Sequence, residues 1–250
     1  MAICKLCSSD TTLIRSHVIP KSLWEIDGAQ PPSRLITNTS AIYPKRVPIG
    51  VYDDTIVCEP CERRFSAGDD YAADFFLRRT VPFKEVHDSR GELTGYLVHH
   101  YDYSLLKLFL IAVLWRAGVS SHSLFSRVRL GPFEETARDM LLRCDPGDTA
   151  TFGSLISIWS NADWPLLMDP FPERLFEVRT YRFYLGRFVA YIKVDQRPFP
   201  ERFEGAALSR EPPLHIISRD LAASKEKRVI QRVFDANRRY FRPDSREEGR

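Results

Sequence analysis

Four of the five cysteines form two C-x-x-C pairs, Cys4 with Cys7 and Cys58 with Cys61. A gap of two residues lets two thiolates point at one ion. Two such pairs supply the tetrahedral four-sulfur shell that Zn²⁺ prefers, at about 2.3 Å per bond. A redox function needs a thioredoxin-like βαβ context, which is absent here. The spacing predicts a structural zinc site, and we expect the fifth cysteine, Cys144, to be a small buried apolar residue.

The segments between the two pairs carry further groups that could do chemistry. His17 lies in the extended sequence LIRSHVIPKS, and two acids, Asp53 and Asp54, precede the apolar run that enters the second pair. Glu62 follows that pair at the start of a predicted helix. Residues 27–50 are rich in Pro, Gly, Ser and Asn and predict a long irregular loop. This order is that of a treble-clef zinc scaffold, which brings the first strand opposite the first turn of the helix.

These residues resemble the HNH endonucleases that hold a ββα-metal fold on two C-x-x-C pairs. The sequence SHVIP, from Ser16 to Pro20, matches the first element of the family, and DDTIVCEPCE, which ends at Glu62, matches the second. The resemblance covers about the first 80 residues. The remainder, including LFLIAVLWRAG, resembles uncharacterised bacterial proteins with an SHIIPK sequence, which implies no mechanism.

The resemblance implies a role for each matched position. His17 occupies the general-base position and would take a proton from water, while one divalent ion stabilises the phosphate and the leaving oxygen. Ser16 stands where the family has a carboxylate ligand, Asp54 (or Asp53) where it has Asn, and Glu62 where it has the last His. Glu62 and Asp54 are therefore the expected oxygen ligands for Mg²⁺ or Mn²⁺. Asp69, two turns further along the helix, is a weaker candidate.

Each of these residues also has a structural interpretation. His17 could be a strand histidine that is hydrogen-bonded to the backbone. Glu62 could simply favour the positive end of the helix dipole, and Asp54 could cap a turn. Lys21 and Arg63 are the basic residues expected to contact phosphate, although a solvated surface would also explain them.

The rest of the chain predicts helices followed by strands. The apolar segment YDYSLLKLFLIAVLWRAG predicts a buried helix with Gly118 just beyond its end, and Pro132 with two following glutamates predicts the start of another. Alternating apolar residues on both sides of Leu185-Gly186 predict a hairpin, and the strand-like TFGSLISIW precedes it. A basic amphipathic helix closes the pattern before a charged tail that begins after Pro243.

Composition restricts the class of protein. The chain has 250 residues, 44% of them hydrophobic, and a formal charge of +3, which is too small to identify a partner. The sequence near Met1 does not resemble a signal peptide, and the most apolar run is shorter than the roughly 20 residues that span a bilayer. We therefore expect a cytoplasmic protein without a membrane segment.

Together these observations predict an α+β protein. A zinc-bound HNH-like treble-clef domain would span residues 1–80. An α+β region over 81–250 would contain a helical segment, a small antiparallel sheet and a C-terminal helix. The expected function is metal-dependent hydrolysis of DNA phosphodiester bonds. The alternative is a catalytically degenerate zinc module that binds nucleic acid or a protein.

Overall fold

The protein is a mixed α+β fold in a computed structural model, with 34% helix and 30% strand among the described residues. The structure describes residues 2–23, 34–36, 45–46, 50–78, 80–160, 167–175 and 177–236. The charged tail after Pro243 lies outside these residues, as does most of the loop predicted over 27–50.

Six short strands precede the first helix: β1 (Ala2–Ile3), β2 (Asp10–Thr11), β3 (Leu13–His17), β4 (Arg34–Ile36), β5 (Lys45–Arg46) and β6 (Tyr52–Cys58). β1 pairs with β2, and β3 pairs with β6, both antiparallel. α1 (Glu59–Ala73) follows β6 directly, with Pro60 in its first turn, and continues as a π-helical turn over Asp74–Arg78. The chain therefore runs from a cysteine turn through a hairpin into a helix.

Two strands, two α-helices and a 3-10 turn follow in the described residues before the main part of the sheet. They are β7 (Lys84–His87), β8 (Leu93–Val98), α2 (Tyr103–Val119), a 3-10 turn (Ser123–Phe125) and α3 (Phe133–Arg143). α2 is buried as predicted, and the Asp102 carboxylate accepts a hydrogen bond from Leu105 N (2.9 Å) at its start. The prediction that Gly118 lies just beyond the helix is wrong, because α2 includes this glycine and ends at Val119. A Cβ at position 118 would lie 2.3 Å from Leu130 Cδ1, so close packing explains the glycine.

The remaining elements complete the fold. They are β9 (Ser154–Trp159), β10 (Leu167–Met168), β11 (Phe171–Leu175), β12 (Val178–Leu185), β13 (Phe188–Lys193), α4 (Glu201–Glu204), β14 (Leu214–Arg219) and α5 (Lys225–Ala236). The predicted hairpin is confirmed: β12 and β13 pair with Leu185 opposite Phe188, and Gly186 has a positive φ of 66°. The predicted C-terminal helix is confirmed over α5.

Seven strands form the main sheet, in the order β11-β12-β13-β9-β14-β8-β7. All neighbours are antiparallel except β9 and β14, which are parallel. The prediction of a small antiparallel sheet is therefore wrong in size and in strand direction. β7 and β8 join the sheet from an earlier part of the chain, and their pairing with β14 depends on contacts that are distant in sequence.

One buried apolar cluster contains residues from both halves of the sequence. It includes Phe65 of α1, Phe109 of α2 and Phe183 of β12. The segments predicted as separate domains, 1–80 and 81–250, thus contribute side chains to a common core. Among the described helices, none combines the length and the apolar character needed to cross a bilayer.

Candidate metal centre and the adjoining polar site

The two cysteine pairs meet at the end of the β3–β6 hairpin. Cys4 and Cys7 lie in the turn between β1 and β2, Cys58 ends β6, and Cys61 lies in the first turn of α1. Their four sulfur atoms lie within 4.8 Å of one another, and Cys7 Sγ is 3.8 Å from Cys58 Sγ. Four sulfurs at about 2.3 Å from a central Zn²⁺ would be separated by about 3.8 Å. The geometry therefore fits a four-sulfur metal site.

Backbone hydrogen bonds form the turn that presents the first pair. Ser8 N donates to Cys4 O (2.8 Å), and Lys5 N donates to Ile56 O (2.9 Å), which attaches the turn to β6. A hydrogen bond with the Ser9 side chain lowers the pKa of Cys7 to about 6, although burial opposes the shift. Burial raises the pKa of Cys58 and Cys61. A bound cation would favour the thiolate form of all four.

A polar contact beside this cluster joins β3 to α1. Ser16 is fully buried on β3, and its hydroxyl donates to Glu62 Oε2 at 2.7 Å. Burial raises the pKa of Glu62, and this effect is opposed by the charge of Arg116 and by the Ser16 hydrogen bond. The sequence-derived expectation that the first strand faces the first helical turn is met at this pair of side chains.

A buried ion pair lies next to Glu62. The Arg116 guanidinium of α2 donates from Nη1 to Asp69 Oδ2 (3.0 Å) and from Nη2 to Asp69 Oδ1 (2.9 Å). Arg116 has no exposed surface, and its guanidinium lies 4.7 Å from the centre of the Phe65 ring. Asp69, the weaker candidate metal ligand, is thus bidentately bound to Arg116.

His17 lies at the end of β3, half-buried, opposite Tyr52 of β6. The two rings are edge-to-face with centres 6.1 Å apart. His17 is also close enough to Glu62 to lower the pKa of that carboxyl by its charge, a smaller effect than those of Arg116 and Ser16. His17 follows Ser16 on β3, and its link to Glu62 is this weak electrostatic effect.

The two aspartates of β6 have different environments. Asp54 is exposed, whereas Asp53 is buried. Asp53 accepts hydrogen bonds from Thr55 N (2.8 Å), Ser120 Oγ (2.6 Å) and Ser121 N (2.8 Å). Burial opposes ionisation of Asp53, but the hydrogen bonds from Ser120 and Thr55 outweigh it and hold the pKa well below its usual range. Asp53 thereby attaches the hairpin to the end of α2.

The two basic residues expected to contact phosphate are both exposed. Lys21 begins a short 3-10 helix of one turn that follows Pro20. Arg63 lies on α1 directly after Glu62. Arg63 Nη2 is 3.1 Å from Glu59 Oε1, and both side chains are about two-thirds exposed (69% and 65%).

The predicted site residues are therefore brought together only in part. Among the residues that the structure describes, one group of three or more Cys, His, Asp or Glu side chains lies close enough to share an ion. This group consists of the four cysteines. Among these described residues, His17, Glu62 and Asp54 do not form a three-ligand group. The prediction for Cys144 is wrong: this residue is exposed, at φ 52°, where it ends α3.

Sequence reasoning missed the network that surrounds Glu62. The sequence contained a signal for this network, because Arg116 is a charged residue within an apolar helix. A buried charge of this kind needs a partner. The pattern did not identify Asp69 as that partner, since the two residues are 47 positions apart.

No protein-family model, curated protein or solved structure matches this chain. The likeness to HNH endonucleases consequently depends on the matched residues alone.

Proposed function

We propose that this protein is a divalent-metal-dependent nuclease of the HNH type, built on a treble-clef scaffold with Zn²⁺ bound to Cys4, Cys7, Cys58 and Cys61. The observation that carries the proposal is the 2.7 Å hydrogen bond from Ser16 to Glu62. These two residues occupy the positions where the family pattern has metal ligands. Their contact supports a common site between the hairpin and the helix, with the general-base position, His17, beside it.

The donor set suits a hard cation. The Glu62 carboxylate and the Ser16 hydroxyl supply oxygen, the ligand type that Mg²⁺ prefers, and Mg²⁺ keeps several waters and therefore needs few protein ligands. A cation held there would neutralise negative charge that develops on a phosphodiester and on its leaving oxygen. The proposal gives Asp54 no ligand role, because it does not complete a group with His17 and Glu62.

The chain's own residues would act in three ways. His17 would accept a proton at an imidazole nitrogen from the attacking water. Ser16 would orient the Glu62 carboxylate through its hydroxyl. Lys21 and Arg63, which are both exposed, would contact phosphate oxygens along the substrate backbone.

A specific observation favours a second candidate, a zinc module that binds nucleic acid or a protein without cleaving it. Asp69 is bound to Arg116, and Asp53 accepts hydrogen bonds from Thr55, Ser120 and Ser121. Glu62 is therefore the acid that remains available beside His17. A site with a single carboxylate ligand binds divalent cations weakly, and binding without hydrolysis would follow.

Cleavage of supercoiled plasmid DNA with Mg²⁺ or Mn²⁺ separates the two functions. The nuclease proposal predicts nicking that falls roughly 10²–10⁴-fold in His17→Ala, the usual contribution of a general base. It also predicts a comparable loss in Glu62→Gln. His99→Ala, which changes an exposed histidine distant in sequence, is the matched control and should keep full activity.

Two results would count against the nuclease. Cleavage that His17→Ala does not reduce would remove the assigned base. Saturable binding of DNA or RNA with no cleavage of either, in protein shown to contain zinc, would favour the binding module.

A further inference from the structure

A cationic pocket lies at the opposite end of the sequence from the cysteine cluster. Its volume is about 400 Å³, and it is formed by the β11–β12 edge of the main sheet and by α5. Five of its ten lining residues are arginine or lysine and one is glutamate: Arg127, Arg182, Lys225, Arg228, Arg232 and Glu226. By contrast, a pocket of about 450 Å³ near Phe199 has two glutamates and neither arginine nor lysine in its lining. The charge is therefore a local property of the first pocket.

The acids near this pocket are already engaged by cations. Arg182 Nη1 lies 2.7 Å from Glu226 Oε1, and the same guanidinium contacts Glu173 through Nη2. Lys225 Nζ is 2.6 Å from Glu173 Oε1, and Arg219 Nη2 is 3.4 Å from Glu226 Oε2. Two carboxylates thus neutralise only part of the positive charge.

Two further arginines of α5 add charge without a countercharge. Arg228 and Arg232 line the pocket, are exposed, and form no ion pair within the described part of the chain. They are four residues apart on one helix and therefore project on the same side as Lys225. A positive surface of this kind attracts an anion from solution.

The buried wall of the pocket contains an unused donor. Arg182 is 7% exposed, and its Nε is one of three buried side-chain nitrogen or oxygen atoms without a hydrogen-bond partner within the described ranges. The other two are the indole nitrogens of Trp115 and Trp159. Buried donors are almost always paired in folded proteins, so an unpaired guanidinium nitrogen beside a pocket indicates a missing acceptor.

The remaining wall of the pocket is apolar and aromatic. Met168, Phe171, Tyr184 and Val229 line it. The Phe171 ring is half-buried, and the guanidinium carbons of Arg182 and Arg127 lie 5.6 and 5.9 Å from its centre. An aromatic face next to a cluster of cations suits a ligand that has a flat ring and a phosphate on the same molecule.

We propose that this pocket binds a nucleotide, with its phosphate on Arg182, Arg228 and Arg232 and its base against Phe171. The shared chemistry is a phosphate ester that carries an aromatic base. Such a group can be a free mononucleotide or the terminal nucleotide of a nucleic acid. None of the lining residues belongs to the cysteine cluster or to the site around His17, so this inference is independent of the proposed nuclease activity.

Isothermal titration calorimetry without added Mg²⁺ tests the site. The probes are AMP, adenosine, inorganic phosphate and a 5′-phosphorylated DNA decamer. We expect saturable binding of AMP to one site, with adenosine weaker by roughly tenfold or more because it lacks the charge-assisted contacts. AMP affinity clearly above that of the decamer assigns the site to free nucleotides. A decamer preference that Arg228→Gln abolishes assigns it to nucleic-acid ends.

Variants on α5 test the position. Arg228→Gln and Arg232→Gln should each weaken AMP binding by roughly tenfold or more, the usual value of a hydrogen bond to a charged group. Both side chains are exposed, so the fold should be retained. Lys227→Gln is the matched control, because this exposed cation is adjacent on the same helix but does not line the pocket. Phe171→Leu should weaken AMP and leave inorganic phosphate unchanged.

Two results would overturn the proposal. One is the absence of saturable binding of both AMP and the decamer at millimolar concentration. The other is an equal loss of AMP affinity in Lys227→Gln and Arg228→Gln, which would show that only the net charge of the helix matters.

Discussion

The cysteine-bearing hairpin and the seven-stranded sheet differ in what holds them together. In the hairpin region, β1 and β2 have two residues each, and their turn carries Cys4 and Cys7. In the sheet, β9 is buried at every position, and β12 is buried at all but one. A short segment buries little apolar surface of its own, so a metal commonly adds to the stability that such a segment gains from the core it shares.

We therefore expect the two regions to respond to different perturbations. Metal removal should act first on the hairpin, because its four sulfurs would otherwise be four unconnected thiols. The sheet should depend on the packing of side chains such as Trp159, Phe183 and Phe188, which are all buried. The two regions are joined where the Arg116–Asp69 ion pair and the Asp53–Ser120 hydrogen bond connect α2 to α1 and β6.

Loss of one cysteine should give the largest difference in stability between the two regions. Structural zinc binding contributes roughly 10–16 kcal/mol in small zinc domains, and Cys58→Ser removes one of the four ligands. We expect amide hydrogen exchange to accelerate in β3, β6 and the start of α1 while β12 and β13 keep their protection. Mass-spectrometric detection of exchange by peptide would measure both regions in one sample.

Cys144→Ser is the control for this experiment, since Cys144 is exposed and far in sequence from the cluster. It should exchange like the unaltered protein. If β12 and β13 lose protection together with β3 in Cys58→Ser, the two regions form a single cooperative unit and the comparison fails.

The contact between α1 and α2 contains a buried ion pair, Arg116 with Asp69. Asp69→Asn would leave the Arg116 guanidinium, which has no exposed surface, without its countercharge. Removing one partner of a buried pair costs about 3–5 kcal/mol, so we expect a loss of that size in the free energy of unfolding, measured by urea denaturation.

Two further variants sharpen this result. Asp70→Asn changes the exposed neighbour and should alter stability by at most about 0.5 kcal/mol. The double variant Asp69→Leu with Arg116→Met replaces the pair by apolar groups and should recover most of the loss. A single Asp69→Asn that is as stable as Asp70→Asn would show that the pair does not connect the regions energetically.

The sheet region has its own buried charge, which should respond to pH. Lys107 of α2 is fully buried, and its Nζ donates to Thr151 O (2.7 Å) and Phe152 O (2.8 Å). Burial lowers the pKa of Lys107 to about 7. In the unfolded chain a lysine has a pKa of about 10.4, so between these values the unfolded state binds more protons. Stability should therefore rise with pH across this window and fall as pH drops towards 7.

Lys107→Met measures this contribution. The substitution should reduce the slope of unfolding free energy against pH, between about pH 7 and 10, by up to about 1.4 kcal/mol per pH unit. Urea denaturation at several pH values would compare the slopes of the two proteins. Equal slopes of unfolding free energy against pH in Lys107→Met and in the unaltered protein would contradict the lowered pKa of Lys107.

The sequence was informative wherever the signal was local. The two C-x-x-C pairs predicted the sulfur cluster, because four ligands with this spacing have few other arrangements. Alternation on both sides of Leu185-Gly186 predicted the hairpin, since register follows from a period of two residues. The apolar run around Phe109 predicted a buried helix for a similar reason.

Long-range pairings were beyond local patterns. Nothing near Leu214 indicates that its strand lies between β8 and β9, parallel to the latter, because strand order depends on the packing of the whole chain. The same limit applies to polar partners. Arg182 and Glu226 are 44 positions apart, and Ser16 and Glu62 are 46 apart, so neither contact has a signature in a short window.

Native mass spectrometry of the purified chain tests the central claim, that four cysteines hold one metal and so place β3 against α1. At a given charge state we predict a mass increase of one Zn²⁺ less two protons per chain, because the two positive charges of the ion replace two protons that the thiols release. Cys58→Ser should lose this ion, whereas Cys144→Ser should retain it. A metal-free chain with all five thiols titratable, in protein whose hairpin is nevertheless protected from exchange, would contradict the account.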